Sequence, residues 1–484
     1  MLNLTSKNNL SYILLLLLIL EVLALLYTGL IVEPAPDSNY YIPIARDILD
    51  GYVPTFDVKT QYTPFVYYIL AGFFLLFGTS YEIAAITIFL FSLSNIFLIF
   101  SIFKYRLKFS LNWSLLFLCI YTFLLFRLTT FYFLLEPFQL FFALTSFILI
   151  TAKNNNILRI ICSGLLMGIS IMCKQYSALF AIGIGIWMFY RLFIKEISFK
   201  EFLISIILWF SAILIPYFIF VLFTKASLLE SLVAFGFIGD GATSYAKTQF
   251  SFINIGWYEK FKVIVLHLIE FMPFIVYPIY RMIDKNEKNT TFLKDGIFIV
   301  GLISIAVVYV RQYAHYFQLI LPWSIMLWAI MLNDYWNKRD LIAKYILFRY
   351  FLIICFLVSL PAAFYMSPKI FIYHFKTNVI LKKSYEIDFK TEALQIFKSG
   401  TSVYVRGNNV LYVSCNYRNP VHNYDFLSPV EMIREGKIPR AVNNVIIPKH
   451  PSDIYLSHKK FFLDNGFKVK SEKKFGLYLE RITN

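Results

Sequence analysis

Apolar runs of about 20 residues recur along the chain and constrain its fold more than any other feature of the sequence. A run of that length matches the α-helix that crosses roughly 30 Å of hydrocarbon. Hydrophobic residues make up 59% of the chain and its mean hydropathy is +0.65, whereas about half of a typical soluble domain is apolar. The sequence therefore predicts a mainly α-helical, polytopic membrane protein.

Eleven such runs can be placed as membrane spans, with boundaries good to a few residues. No small-residue cleavage site follows the first run, so we interpret it as a retained span and not as a signal peptide. The predicted spans cover residues 10–32, 81–103, 111–128, 131–151, 157–174, 176–193, 202–223, 262–280, 296–310, 316–333 and 345–366.

Lys and Arg residues between the spans predict the orientation of the chain. The net charge is +16, and excess Lys and Arg in a membrane protein marks cytoplasmic loops, so this charge does not indicate nucleic-acid binding. With the N-terminus inside, the loops predicted to be cytoplasmic carry more Lys and Arg than the outer loops. The odd number of spans then places the C-terminal tail outside the cytoplasmic (inner) membrane.

The segment after the first span is predicted to stay at the outer membrane surface. "DSNYYIPIARDILDG" has apolar residues at helical spacing, with Arg46, Asp47 and Asp50 on the opposite face, and predicts an interfacial amphipathic helix. "PFVYYILAGFFLLFG" is short for a crossing and predicts a second interfacial helix. The alternative, a tilted span, would reverse every later orientation and remove the loop-charge bias.

Residues 367–484 differ in character from the rest of the chain, since the apolar runs shorten and the charge rises. "AVNNVIIP" predicts a strand, "SDIYLSHKKFFLDNG" a helix that stops at Asn-Gly, and "FKVKSEKKFGLYLERI" a closing hairpin. We therefore expect a transmembrane domain over residues 1–366 and a small extracytoplasmic α/β domain over residues 367–484.

Polar residues near the predicted outer ends of the spans, most of them ionisable, form the candidate site. Such groups beside apolar segments are costly and usually need a partner or a function. Each alone has a structural explanation: Asp37 could cap a helix, Glu136 could start one, and Lys174 and Arg311 could anchor spans at the interface. The hypothesis of a site rests on the whole set, which comprises Asp37, Glu136, Lys174, Gln175, Arg311 and His315.

The order of the motifs along the chain resembles the GT-C superfamily of polytopic glycosyltransferases, in particular the branch with protein O-mannosyltransferases and lipid A aminoarabinose transferases. The resemblance covers nearly the full length. It is carried by Asp37-Ser38 with Tyr41, Ala45, Leu49 and Gly51, by Pro64, Tyr67, Tyr68 and "LFG" at 76–78, by "GLLMGISIMCKQ", and by "RQYAHYFQLILPW".

Two positions depart from the pattern of the family. Tyr62 stands where the aminoarabinose branch carries a Lys, and Lys59, three residues earlier, could substitute for it. Ser38 stands where mannosyltransferases often carry a second acidic residue. The identity of the sugar therefore stays open.

The resemblance implies an integral-membrane enzyme that transfers a hexosyl or pentosyl group, with inversion, from a polyprenyl-phosphate-linked donor to an acceptor hydroxyl at the outer face of the membrane. Asp37 would then be the general base, and Lys174, Arg311 and Lys59 would stabilise the phosphate leaving group. The other expected substrate-binding residues are Tyr62, Glu136, Gln175, His315 and Tyr316.

No metal ligand cluster is evident in the sequence. The five cysteines include no C-x-x-C pair, so neither a disulfide framework nor a zinc site is indicated. A monophosphate leaving group surrounded by enough Lys and Arg needs no metal ion. A single divalent ion held by Asp37 and Glu136 is the alternative.

A transporter or flippase of lipid-linked sugars is the main alternative function. Such a protein would show inverted repeats, paired broken helices and charges at the membrane midplane. The sequence shows no internal repeat, and its charges lie near the predicted outer face. A membrane-anchored binding or assembly protein is a third interpretation, but it leaves Asp37, Lys174 and Arg311 without a role.

The predicted orientation can be tested with reporter fusions. We expect a reporter fused after Asn484 to be active outside the cytoplasmic membrane, because an odd number of spans follows an inside N-terminus. A fusion at Lys195, in a loop predicted to be cytoplasmic, is the matched control and should be active inside. A C-terminal reporter active only in the cytoplasm would contradict the orientation.

Overall fold

The structure is a computed structural model, and the chain divides into two compact units. One unit is Met1–Thr28 with Ile88–Tyr373, and the other is Gly29–Thr87 with His374–Asn484. The residues that it describes are 6–31, 36–54, 56–58, 63–128, 134–152, 156–224, 256–283, 291–310, 314–337, 348, 350–361, 363–365, 382–405, 415, 417, 442–448, 453–473 and 476–482.

α-Helices account for most of the described chain. They are α1 (Ser6–Ile31), α2 (Pro36–Leu49), α3 (Phe65–Phe77), α4 (Tyr81–Ser101), α5 (Leu111–Leu125), α6 (Glu136–Ile150), α7 (Ile157–Cys173), α8 (Ala178–Phe193), α9 (Phe199–Thr224), α10 (Trp257–Leu266), α11 (Leu268–Ile283), α12 (Thr291–Val310), α13 (Leu321–Asn337), α14 (Lys382–Ile396) and α15 (Asp453–Asp464). Short 3₁₀ helices lie at Phe126–Leu128, Gln175–Ser177 and Ala314–Leu319.

Several described helices are long and apolar enough to cross a membrane, and the prediction of a mainly α-helical polytopic membrane protein is confirmed. Shorter apolar helices include α3, α6 and α7, of 13, 15 and 17 residues. The count of eleven spans stays a prediction. Within the described residues, five helices are at least 18 residues long and apolar enough to cross a membrane: Asn9–Leu30, Tyr81–Arg106, Leu111–Leu128, Gln175–Phe193 and Phe199–Thr224.

The region predicted as one span over residues 262–280 is bent by 80° between α10 and α11. His267 lies at the bend, where neither Pro nor Gly interrupts the sequence. The Leu266 carbonyl accepts a hydrogen bond from Arg127 Nη1 (2.7 Å), while Glu270 N donates to the His267 carbonyl (3.0 Å). A side chain that takes over a backbone acceptor is a recognised cause of a sharp helix bend.

α13 is the central helix of the first unit. Residues 321–335 are all buried, as expected for a helix that is apolar on every side. Its polar side chains have partners: Ser324 Oγ donates to the Glu270 carbonyl (2.7 Å), and Lys294 Nζ lies 2.5 Å from Asp334 Oδ2 near the end of the helix. The burial of α13 holds the preceding 3₁₀ helix, Ala314–Leu319, against the core.

Two glycines of the "GLLMGISIMCKQ" motif allow α7 and α9 to pack backbone to backbone. A Cβ added at Gly164 would lie 2.4 Å from the Trp209 carbonyl oxygen, and one at Gly168 would lie 2.3 Å from the Ile213 carbonyl oxygen. Glycines four residues apart permit this close approach between membrane helices. The contact fixes α7, at whose end Lys174 lies.

The second unit contains a four-stranded sheet formed by the C-terminal tail. The predicted strand and closing hairpin are confirmed, and the predicted helix ends just before Asn465 and Gly466, whose φ is +83°. The strands β1 (Tyr404–Val405), β2 (Asn444–Pro448), β3 (Phe467–Glu472) and β4 (Gly476–Arg481) have the order β1-β2-β4-β3, with β1 parallel to β2 and the other pairs antiparallel.

The first outer segment belongs to the same unit as the tail. α2 and α3 lie where the sequence predicted helices, but the predicted charged face of α2 is only partly exposed: Asp50, just after the helix, is exposed, whereas Arg46 and Asp47 are buried. Arg46 and Asp47 are only 9% and 4% exposed, whereas Leu49 is 39% exposed. Arg46 Nη1 donates to the Tyr417 carbonyl at 2.7 Å, and this contact explains its burial. The domain boundary predicted at residues 366 and 367 stays a prediction.

Replacement of Gly168 tests the packing of α7 against α9. Gly168→Ala should lower the free energy of unfolding by about 1–3 kcal/mol, because the added methyl group has no room. Gly185→Ala is the matched control, since nothing lies within 4 Å of its Cβ position. Alanine favours helix, so the control should unfold at the wild-type temperature or slightly above it. Equal unfolding temperatures of the two variants in detergent would contradict the close packing of α7 against α9.

Candidate active site

An ion pair between Lys174 and Glu136 lies at the centre of the candidate site. Lys174 Nζ is 2.5 Å from Glu136 Oε1, and the two residues are 1% and 0% exposed. Glu136 is the first residue of α6 and is followed by Pro137, which suits the first helical turn because its missing N–H is not needed there. Lys174 follows the last residue of α7 in an extended conformation. The predicted outer ends of two helices are therefore joined by buried opposite charges.

Two tyrosine rings cover the Lys174 ammonium group. Its Nζ lies 4.5 Å from the ring centroid of Tyr316 and 5.7 Å from that of Tyr176. The two rings contact each other edge to face, with centroids 5.4 Å apart. A cation near the face of a desolvated ring gains on the order of 2 kcal/mol. The carboxylate and the rings together hold a charged lysine where water has little access.

His315 also lies near the Glu136 oxygen that pairs with Lys174. Its Nε2 is 4.0 Å from Glu136 Oε1, and the side chain is half-buried. Glu136 Oε2 is fully buried and has no hydrogen-bond partner among the described residues. An acceptor of this kind is costly unless water or a ligand group satisfies it. Glu136 Oε2 can therefore accept a hydrogen bond from a hydroxyl group while Oε1 pairs with Lys174.

A ladder of hydrogen bonds fixes the register between α6 and the end of α7. Ser170 Oγ donates to the Gln139 carbonyl (2.6 Å), and Ser177 Oγ donates to Gln139 Oε1 (2.8 Å). Gln175 begins the 3₁₀ helix between α7 and α8, and its Oε1 has no partner within the described part of the chain. These contacts fix the chain on both sides of Lys174 and Gln175.

A second buried ionic cluster lies close to the first and was not predicted from the sequence. Arg127 forms an ion pair with Glu270, and His267 Nδ1 lies 3.5 Å from Glu270 Oε2. The ring of His267 stacks on Phe317, with centroids 3.3 Å apart. The available signal was the His and Glu three residues apart inside the apolar run "VIVLHLIEFMPFIV", since ionisable residues within a span are rarely without a role.

The structure brings together four of the predicted substrate-binding residues, Glu136, Lys174, His315 and Tyr316, and Gln175 follows Lys174 in the chain. Asp37 is the second residue of α2, but its side chain is outside the described part of the structure, as are Lys59, Tyr62 and Arg311. Their roles stay predictions. Among the described residues no group of three His, Cys, Asp or Glu side chains could hold a metal ion, and the alternative site of Asp37 with Glu136 stays a prediction.

The energetic importance of the central pair can be measured by a double-mutant cycle. Lys174→Met leaves Glu136 as a buried unpaired charge, which should cost about 3–5 kcal/mol of stability. Adding Glu136→Gln removes that charge and should restore most of the loss.

Thermal unfolding in detergent of the wild type, both single variants and the double variant gives the coupling. The partly exposed pair of Arg191 and Glu196 is the control, and Glu196→Gln should change stability by less than about 1 kcal/mol. Purely additive losses at positions 136 and 174 would show that the two charges are not coupled.

Comparison with known proteins gives matches among solved structures. No family model matches the chain, and no curated protein sequence matches it. The structure of ArnT from Cupriavidus metallidurans bound to undecaprenyl phosphate superimposes with a TM-score of 0.62 at 12% identity, over 97% of this chain and 98% of that chain. The archaeal oligosaccharyltransferase AglB from Archaeoglobus fulgidus, in complex with an inhibitory peptide and a dolichol-phosphate, superimposes with a TM-score of 0.57 at 11% identity, over 96% and 74%. The chain therefore shares the fold of these two proteins over nearly its whole length, in agreement with the fold that the resemblance of its motifs implied.

Proposed function

We propose that this chain is an integral-membrane glycosyltransferase that moves a sugar from a polyprenyl-phosphate-linked donor to an acceptor hydroxyl. The observation that carries the proposal is the match of nearly the whole chain to two folds solved with a polyprenyl phosphate, undecaprenyl phosphate in one and dolichol-phosphate in the other. The buried ammonium group of Lys174 supports it, since it offers a fixed cation at the predicted outer end of α7.

The reaction needs a base and a stabilised leaving group. The acceptor oxygen forms a bond to the anomeric carbon as the bond from that carbon to the phosphate oxygen breaks. The proton of the acceptor hydroxyl passes to the carboxylate of Asp37, and the polyprenyl phosphate leaves with the electron pair. A single displacement of this kind inverts the anomeric centre.

Lys174 would stabilise the negative charge that grows on the leaving phosphate. A preorganised cation away from water is effective because it needs no reorganisation during the reaction. Lysine carries three N–H donors around one nitrogen, so it can bridge Glu136 and a phosphate oxygen. Arg311 and Lys59 would add further positive charge.

Glu136 has two tasks in this scheme. It keeps the Lys174 ammonium in place when no donor is bound, because an isolated buried cation would be unstable. Its second oxygen, Oε2, is free of partners among the described residues and would accept a hydrogen bond from a sugar or acceptor hydroxyl. His315 and Tyr316 would line the same pocket, and Gln175 its edge.

The cellular setting completes the proposal. The chain would lie in the inner membrane with its C-terminal tail outside, and the reaction would take place at the outer leaflet. The lipid tails of the donor would stay in the bilayer while its head group reaches the helix ends that carry Glu136 and Lys174. The product would be a glycan, lipid or protein of the cell envelope.

Asp37→Asn tests the general base. Asn keeps the shape and can still cap a helix, but it cannot accept the proton, so transfer should fall by about 100- to 10,000-fold while donor binding is retained. Asp57→Asn is the matched control in the same segment. Asp57 is exposed, and its Oδ2 accepts a hydrogen bond from Val53 N (2.7 Å), which an Asn oxygen can also accept.

The assay uses the purified chain in proteoliposomes with a panel of polyprenyl-phosphate sugars and measures transfer and donor binding separately. Near-normal transfer by the Asp37→Asn protein would exclude Asp37 as the base, and a loss in Asp57→Asn alone would move the role to Asp57. Movement of the donor across the bilayer with no transfer to any acceptor would favour a flippase and contradict the proposed enzyme.

A further inference from the structure

The 3₁₀ helix Ala314–Leu319 connects the two buried ionic clusters. His315 and Tyr316 contact the first cluster, at Glu136 and Lys174. The next two residues, Phe317 and Gln318, contact the second. Since a 3₁₀ helix has three residues per turn, successive side chains point in different directions, so one short helix can reach both clusters.

The second cluster is built around Arg127 and Glu270, both buried. Arg127 Nη1 donates to the Leu266 carbonyl (2.7 Å), and its Nη2 pairs with Glu270 on the other side of the helix bend. Arg127 therefore ties together the end of α10 and the start of α11. This arrangement holds His267, the residue at the bend, at a defined place.

The cluster contacts the 3₁₀ helix at two points. The ring of His267 lies parallel to that of Phe317, at an interplanar angle of 10°. Gln318 Nε2 donates to the carbonyl of Leu128, the residue after Arg127, at 2.7 Å. Phe317 and Gln318 are both buried, so neither can move without disturbing these contacts.

We propose that Arg127 and Glu270 are positioning residues that hold the 3₁₀ helix so that Tyr316 lies against Lys174 and His315 lies beside Glu136. Buried charges away from the site carry a desolvation cost that a pair of apolar residues would avoid. The charged pair instead fixes the local geometry. Without it the helix bend at His267 would change, and Phe317 would lose the ring on which it stacks. The consequence for catalysis rests on the proposed function, whereas the consequence for the position of His315 does not.

Two variants test the positioning role by different chemistry. Glu270→Gln keeps the side-chain shape but removes the charge that holds Arg127. Phe317→Leu removes the stacking partner of His267 without any change of charge, and it carries the test if the charge variant does not fold. Asp334→Asn is the matched control, because Lys294 and Asp334 form a similarly buried pair near the far end of α13.

The first readout is the NMR signal of His315 in protein with isotope-labelled histidine. The chain has six histidines, and His315→Gln identifies the signal by its loss. We expect Glu270→Gln and Phe317→Leu to shift this signal, while Asp334→Asn leaves it in place although it lowers the unfolding temperature. An unshifted signal in the folded test variants, or an equal shift in the control, would overturn the proposal.

The second readout is donor KM and kcat in the transfer assay. Misplacement by about 1 Å can lower a rate by about 100-fold, so kcat/KM should fall by roughly 10- to 100-fold in both test variants and stay near the wild-type value in Asp334→Asn. A wild-type chain that transfers no sugar would refute the proposed function alone, and the NMR result would still decide the positioning role.

Discussion

The ion pair of Lys174 and Glu136 imposes the main constraint on the first unit. Each charge alone would cost several kcal/mol in so buried a place, and the pair is tolerable only at short range with further support. That support comes from the ring of Tyr316 and from His315. The start of α6, the end of α7 and the 3₁₀ helix Ala314–Leu319 must therefore meet at one point.

The packing of the neighbouring helices serves this meeting point. Ser146 in α6 and Ser163 in α7 hydrogen-bond to each other, and Ser163 also accepts a hydrogen bond from the indole of Trp209 in α9 (3.0 Å). Gly164, next to Ser163, lets α9 approach. Small residues thus fix the register of α7 relative to its neighbours, and this register decides whether Lys174 reaches Glu136.

The sequence predicted the helices and the strands of the tail, but only part of the candidate site. Apolar run length and turn residues are local signals, which is why α2, α15 and the closing hairpin could be predicted. The pairing of Glu136 with Lys174 depends on the register between two helices, which no local pattern contains. The bend at His267 depends on Arg127, about 140 residues away, and the burial of Arg46 depends on Tyr417; neither partner is visible in the periodicity of its own segment.

The bond from Arg46 to Tyr417 spans 371 residues of sequence, and this distance has a consequence for biosynthesis. α2 is made well before its partner in the tail. At a synthesis rate of about 5–20 residues per second, roughly 20 to 70 seconds separate the two. The helix that carries Asp37 cannot reach its final packing during this interval, so a nascent or truncated chain would hold its predicted catalytic carboxylate on an unfinished support.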